Sequence, residues 1–241
     1  MHKVLIASAG LGNRLKGMTK NVNKALVSVG YKPAISHIIE KFSKDTQFVI
    51  PVGYKSQSIK NFIKLAYPDY FFKFVDVEPF EGKGSGLGLS VLMCERYPQC
   101  PFIFSSNDTI VLEDIPSPEF NWVGQSETTD NSEFRTIKSH NNIVKDICPK
   151  GVKEGVKAYI GLAGIKDYKD FWNAMNKCTS PHEIEVGESV GLRGIIHKNI
   201  KAIDFTWFDT GNISRLNKTR DYFSKNEDYN ILDKEEEAIW F

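Results

Sequence analysis

Short apolar and β-branched runs alternate with segments of helical spacing along the first 110 residues. Lys3 to Ser8 (KVLIAS) predicts a buried strand, and Gln47 to Val52 (QFVIPV), the aromatic and β-branched Tyr70 to Val77 (YFFKFVDV) and Pro101 to Ser106 (PFIFSS) predict three more. Between them, Ala34 to Phe42 (AISHIIEKF) has helical spacing with Pro33 at its start. A Ser-capped helix is predicted from Ser56 through Leu65, and another from Gly86 to Arg96. Strand and helix in strict alternation predict a parallel sheet covered by helices. Ligands of such sheets sit at the carboxyl ends of the strands, where three unusual segments fall: the glycines after the first strand, Glu81 to Gly86 after the third, and Asp108 after the fourth.

The pattern loosens beyond residue 110. Asn121 to Gly124, Arg135 to Lys138 and Ala158 to Leu162 predict further strands, some antiparallel. Asp167 to Lys177 predicts a short helix, Lys201 to Trp207 a last strand ending at Asp209-Thr210-Gly211, and a final helix runs from about Ile213 to Phe223. There is no internal repeat and no low-complexity tract. The chain finishes on DKEEEAIWF, bulky and apolar with no polar tail. The expectation is a domain over 1–225, and in 226–241 either a docked helix or the start of a further domain of a longer protein.

Composition narrows the function. Of 241 residues, 41% are hydrophobic and 25% charged, ordinary for a folded domain with a proper core. A net charge of +1 argues against a general nucleic-acid or membrane-surface binder, so any anion must be held by a few placed cations. No apolar run approaches the roughly 20 residues of a membrane span, and the first residues lack a signal-peptide pattern. Cys94, Cys100, Cys148 and Cys178 have no CxxC spacing, which points to reduced thiols, a cytoplasmic setting and no zinc site. His2, His37, His140, His182 and His197 are scattered and receive no role. Homo-oligomerisation stays open.

The glycine loop reads ASAGLGNRLKGMTKNVNKAL from Ala7 to Leu26. Gly10 and Gly12 let backbone N–H groups approach an anion closely, beside Ala9. Arg14 offers a forked pair of donors and Lys24 a mobile point charge, a set that suits a di- or triphosphate better than a carboxylate. The P-loop pattern fails because Gly17 is followed by Met18. The dinucleotide fingerprint fails at Leu15, and the kinase glycine loop fails at Leu89.

With Gly10-x-Gly12-x-Arg14-Leu15, Thr19, Asn23-Lys24-Ala25-Leu26 and Lys32-Pro33 in view, the opening resembles that of the sugar-1-phosphate nucleotidyltransferases. The resemblance implies a Rossmann-like three-layer α/β/α fold with a mixed, mostly parallel central sheet. It also implies a Mg²⁺-dependent reaction that joins a nucleoside triphosphate to a phosphorylated compound and releases pyrophosphate. On this resemblance the backbone at Ala9, Gly10 and Gly12, with Arg14, holds the triphosphate, and Lys24 neutralises the α-phosphate and the incoming phosphate. Asn23 stands where the family usually has proline, a change expected to alter loop stiffness more than chemistry.

The resemblance extends to Asn107-Asp108-Thr109 and to Trp207-Phe208-Asp209-Thr210-Gly211, which match the positions of the family's two metal-binding aspartates. The physical need is independent of the family. Phosphates must collide at the α-phosphorus, and each like-charged pair at 4 Å costs about 4 kcal/mol in an effective dielectric of 20. A hard divalent cation held by carboxylates and phosphate oxygens removes much of that barrier.

Gly84-Ser85-Gly86 takes the place of the family's base-recognition turn, with Glu78 near an upstream glutamine position. A carboxylate there could accept from cytosine's amino group, a lean toward CTP over UTP or dTTP; the alternative is that Glu78 faces solvent and backbone groups read the base. Lys150 keeps the lysine of the family's Glu-Lys pair and can meet the acceptor phosphate, but Pro149 replaces the glutamate. That loss, with Glu78, leans toward a CTP-dependent cytidylyltransferase of a non-sugar phosphate such as phosphocholine or a phosphorylated amino acid. The Trp207 to Gly211 motif leans toward sugar 1-phosphates for cell-surface polysaccharide. Tyr159, Gly161, Glu188 and Arg193 are candidates for the acceptor pocket. An inactive nucleotide-sensing module is the remaining alternative.

Overall fold

The computed structural model describes residues 2–128, 132–151, 157–177 and 187–226. Cys178, His182 and nearly all of the C-terminal segment 226–241 lie outside the described residues. The opening apolar run forms β1 (Lys3–Ala7), with Val4, Leu5 and Ile6 fully buried. It lies between β4 (Gln47–Val52) and β6 (Phe102–Ser106) and is parallel to both. Two short strands between β1 and β4, β2 (Ser28–Val29) and β3 (Lys32–Pro33), form a separate hairpin. β5 (Phe71–Asp76) extends the sheet in parallel beyond β4.

Past β6 the sheet changes character. Its order is β5-β4-β1-β6-β11-β8-β12-β10-β9, with β8 (Trp122–Glu127), β9 (Thr136–His140), β10 (Ile143–Cys148), β11 (Lys157–Ile165) and β12 (Lys201–Asp204). β11 is antiparallel to β6 and β8, and β10 is antiparallel to β9 and β12, while β12 is parallel to β8. The sheet is thus mixed: parallel pairing governs the half built before residue 107, and antiparallel pairing most of the remainder.

Side-chain alternation sends successive strand residues to opposite faces, and each face is covered by helices. Val4, Ile6, Phe48 and Ile50 pack with Ile35 and Ile39 of α1 (Ala34–Ile39) and Ile59 and Ile63 of α2 (Ser56–Ala66). Leu5, Val49, Phe102 and Phe104 face the other way. They meet Val91 of α3 (Leu87–Leu92), Phe171 and Met175 of α4 (Tyr168–Met175), and Leu192 of α5 (Ser189–Gly194). A third cluster joins Leu15 and Ile110 to Leu216 and Phe223 of α6 (Ile213–Asn226), which closes the fold beside the glycine loop.

Several elements differ from expectation. β10 carries no clear strand signal in the sequence because a bulge between Val144 and Asp146 breaks its alternation. α5 read as a loop because Gly191 and Gly194 lower helix propensity. Both glycines allow a close helix contact: a Cβ on Gly191 would lie 2.4 Å from the Phe171 ring, and one on Gly194 would lie 2.2 Å from Ala174 Cβ. The predicted strand at 201–207 splits into β12 and β13 (Trp207–Asp209), which pairs with β7 (Thr109–Val111) in a sheet of its own.

His37 supplies a test of this packing. Its Nε2 lies 2.8 Å from the Val29 carbonyl and its ring packs edge-on against Phe223 at 4.8 Å. Burial pushes the imidazole down to about 4. Between the unfolded value near 6.5 and the folded value, the unfolded chain binds more protons, so stability falls as pH drops through that window. The loss is expected to total about 3 kcal/mol by pH 4. Urea unfolding of wild type and His37→Gln from pH 7 to pH 4 checks it: the variant should lose most of that slope, and equal slopes would refute the assignment.

Candidate active site

β1 delivers the chain into the glycine loop. Gly12 has φ +70°, and a Cβ there would lie 2.9 Å from Lys24 Cβ and 3.0 Å from Thr19 Cγ2. A bare residue is therefore needed to seat Lys24. A Cβ on Gly10 would meet no protein atom, so its bareness leaves room for a ligand. Fully buried Asn23 ties the loop down: its Nδ2 donates to the carbonyls of Ser8 at 3.2 Å and Tyr54 at 2.6 Å, and its Oδ1 accepts from Ala25 N at 2.9 Å. These bonds provide the stiffness that a proline at 23 would give by covalent restraint.

The two aspartates meet through a short ladder. Asp209 pairs with Thr109 across β13 and β7, and Thr210 N donates to the Asp108 carbonyl at 3.0 Å. A Cβ on Gly211 would lie 2.8 Å from Asp209 Oδ1, 3.2 Å from Asp108 Oδ2 and 3.3 Å from Arg14 Nη2. Both carboxylates and the arginine therefore surround one bare position. Lys24 Nζ donates to Asp108 Oδ2, Ser106 Oγ donates to Asp108 Oδ1 at 2.5 Å, and Arg14 Nη2 lies 4.0 Å from Asp108 Oδ2. Gly211 N donates to Asp209 Oδ1 at 2.7 Å, and Arg215 Nη1 donates to Asp209 Oδ2 at 3.0 Å.

The pair is electrostatically uneven. Burial pushes the Asp108 carboxyl up, but Lys24, then the Ser106 hydroxyl and Arg14, outweigh it and hold the group at about 2. Asp209 is raised, by burial first and by the Asp108 charge second. No cluster of three or more His, Cys, Asp or Glu side chains suited to a metal occurs among the described residues. Two carboxylates around an open glycine fit a hard divalent cation that takes its remaining ligands from phosphates and water.

Two cavities meet at this point. One, of about 440 Å³, is lined by Ala9, Gly10, Gly12, Arg14, Lys24 and Ser85, among others. The other, of about 170 Å³, is walled by Lys150, Tyr159, Gly161 and Glu188, with Asp209 at its edge. Arg14, Leu87, Ser106 and Asp108 belong to both. Gly161 has φ +73°, and a Cβ would lie 2.9 Å from Ser106 Cβ, so a side chain there would crowd the residue that holds Asp108. Lys150 is lowered, by burial first and then by Arg14 and Arg135. Glu188, 3% exposed, is raised by burial; its carboxyl and the Tyr159 hydroxyl lie near each other, and among the described residues neither Glu188 Oε2 nor Tyr159 Oη makes a well-formed hydrogen bond. A larger hollow of about 630 Å³ lies between β5 and the end of α3, but its cations Lys73 and Arg96 are stacked on Tyr97 and it contains no part of the glycine loop.

Three residues fall elsewhere than expected. Glu78 is exposed and does not line either cavity; Phe80 occupies the wall on that side. Gly84 is also absent from the walls, and its neighbours Ser85 and Gly86 are present. Arg193, expected in the acceptor pocket, does not reach the smaller cavity: its Nε donates to the Ile147 carbonyl at 3.0 Å and its Nη2 donates to the same oxygen. It fastens α5 to the end of β10. Sequence reasoning passed over Ser106, Glu133, Phe134, Arg135 and Arg215. Of these, Arg215 had a usable signal, lying one helical turn past the Asp209-Thr210-Gly211 motif.

No family model matches the chain. A protein named bifunctional protein GlmU from Methanococcus vannielii is 27% identical over 237 residues, which cover 92% of this chain and 55% of that protein. The chain thus spans about half the length of that curated relative. A choline-phosphate cytidylyltransferase of Streptococcus pneumoniae is 43% identical over 68 residues, 27% of this chain and 29% of the relative. Among solved structures, a UDP-glucose pyrophosphorylase complexed with UDP-glucose superposes with a TM-score of 0.77 at 18% identity, covering 94% of this chain and 100% of that one. The CTP:phosphocholine cytidylyltransferase of Streptococcus pneumoniae superposes with a TM-score of 0.77 at 17% identity, covering 92% and 100%. At these identities the solved structures establish a shared fold.

Proposed function

We infer, from the sugar-1-phosphate nucleotidyltransferase family that sequence relatives and structural neighbours together support, that the chain joins a nucleoside triphosphate to a sugar 1-phosphate and releases pyrophosphate. The observation that carries this reading is the junction of the two cavities at Arg14 and Asp108. A nucleotide's α-phosphate in the larger cavity would face an acceptor phosphate in the smaller one there.

The residues divide the work. Backbone N–H groups at Ala9, Gly10 and Gly12, with the Arg14 fork, bind the triphosphate. Lys24 neutralises charge as the two phosphates approach, and Lys150 holds the acceptor phosphate. Asp108 and Asp209 would hold Mg²⁺, which when bound supplies charge neutralisation at the α-phosphate. The acceptor phosphate is already anionic near pH 7, so positioning and neutralisation suffice and no general base is assigned. Base contact falls to Ser85 and Gly86, since Glu78 is exposed. Cytoplasmic action on precursors of surface polysaccharide fits this chemistry, and no helix among the described residues is long and apolar enough to cross a membrane.

A second reading, cytidylyl transfer to a non-sugar phosphate, is favoured by the acceptor cavity's walls. Phe134, Tyr159 and Trp207 bring three aromatic rings beside Glu188, a lining suited to an ammonium group as well as to a hydroxyl. Pyrophosphate release with CTP, UTP, GTP and dTTP against sugar 1-phosphates, phosphocholine and phosphoserine separates the readings. Release with a sugar 1-phosphate is expected. Release only with CTP and a non-sugar phosphate selects the second reading. Nucleotide binding with no release across the panel would mean a sensing module.

A further inference from the structure

The paired carboxylates have no idle oxygen. Asp108 Oδ1 accepts from Ser106 and Oδ2 from Lys24; Asp209 Oδ1 accepts from Gly211 N and Oδ2 from Arg215. Two of these four donors are neutral and fixed by local geometry. The other two, Lys24 and Arg215, are cations on side chains that can move. Each sits on a separate carboxylate, with side-chain exposures of 11% and 17%. Arg215 is also placed from behind: its guanidinium lies 4.2 Å from the Phe134 ring centroid, and its Nη1 is 3.9 Å from Glu133 Oε2.

A divalent cation entering between Asp108 and Asp209 would displace or repel both positive groups. The two have different ways out. Lys24 and Arg14 face the larger cavity, where triphosphate oxygens would draw them from Asp108. Arg215 lines neither cavity. Its guanidinium does not deprotonate in proteins, so its competition for Asp209 does not fade with rising pH.

We propose that Arg215 is a positioning residue which, together with Lys24, keeps the paired carboxylates internally neutralised in the nucleotide-free chain, so that a divalent cation is taken up together with a nucleoside triphosphate and poorly before it. This rests on the reading of Asp108 and Asp209 as the metal ligands. It adds that the empty enzyme is built to bind the metal weakly, and it names the residue on Asp209 responsible.

The test is Mn²⁺ binding to the nucleotide-free full chain, read by the electron paramagnetic resonance signal of unbound Mn²⁺. Arg215→Met keeps the alkyl packing against Phe134 while removing the charge. It should bind Mn²⁺ about tenfold more tightly than wild type, at pH 6 and pH 8 alike. Arg215→Lys, which retains the charge with the least repacking, should stay closer to wild type than to Arg215→Met. Circular dichroism and thermal unfolding report whether each variant folds, with Arg215→Gln replacing Arg215→Met if needed. Unchanged Mn²⁺ affinity in a folded neutral variant overturns the proposal, as does an equal gain in Arg215→Lys. Failure of the underlying site looks different: Asp209→Asn would then leave the tight Mn²⁺ binding of Arg215→Met intact, and Asp108→Ala would leave pyrophosphate release intact.

Discussion

Asp108→Ala is expected to lower Mg²⁺-dependent pyrophosphate release by at least about a thousandfold, a rise in barrier of roughly 4 kcal/mol, with the fold intact. Asp108 is the point of contact for both cavities and for Lys24, Arg14 and Ser106. Without its charge the site would lose a proposed metal ligand, and Lys24 would lose the anchor that aims it. The melting temperature should move little, because two effects oppose each other. Lys24 loses its ion pair, while Asp209, raised in part by the Asp108 charge, is relieved of a like neighbour. Asp209→Ala should produce a comparable loss of rate. Steady-state pyrophosphate release and thermal unfolding of both variants check this. Near-normal rates in both would remove the metal-assisted reading of the site.

The second large effect concerns the frame. Phe102→Ala is expected to destabilise the fold by about 3–5 kcal/mol, as deletion of a fully buried aromatic side chain does. Phe102 is at the start of β6, has no exposed surface, stacks on Trp172 at 5.4 Å and meets Phe171 edge-on at 5.5 Å. The cavity would open between the centre of the sheet and α4, where the surrounding rings cannot easily collapse. Because β6 also carries Asp108 just beyond its far end, the damage should spread into activity at temperatures where wild type is stable. Urea denaturation read by tryptophan fluorescence measures the effect. Leu65→Ala, at a residue 83% exposed on α2, serves as the control and should stay within about 0.5 kcal/mol. A Phe102→Ala loss no larger than the control's would show that this cluster does not carry the fold.

Local physics made much of the architecture legible. β1, β4 and β6 could be read from the chain because a strand buried on both faces is a continuous apolar run, and β5, an edge strand, was legible from its aromatic and β-branched residues; both signals lie within a few residues. The glycine loop was legible for the same reason: Gly10, Gly12, Arg14 and Lys24 act together at short range. β10 and α5 were not, since a bulge and two packing glycines each hide the period that would have announced them.

On the proposed function, what the amino-acid order points to by itself is the kind of ligand: bare backbone followed by placed cations suits phosphates wherever the chain goes next. The resemblance names Asp108 and Asp209, but only the tertiary structure brings the two together. Asp108 and Asp209 are distant in sequence, and the three-residue strands β7 and β13 that join them are too short to show any period. Glu78 and Arg193 had suitable chemistry at plausible spacing, yet one faces solvent and the other is spent on the Ile147 carbonyl. Arg215 reaches Asp209 because α6 begins directly after the motif and its first turn brings this half-buried side chain back onto it. Residue type and spacing set what a group can do. Where its side chain ends up depends on backbone pairings between segments far apart in the chain, and no local pattern encodes those.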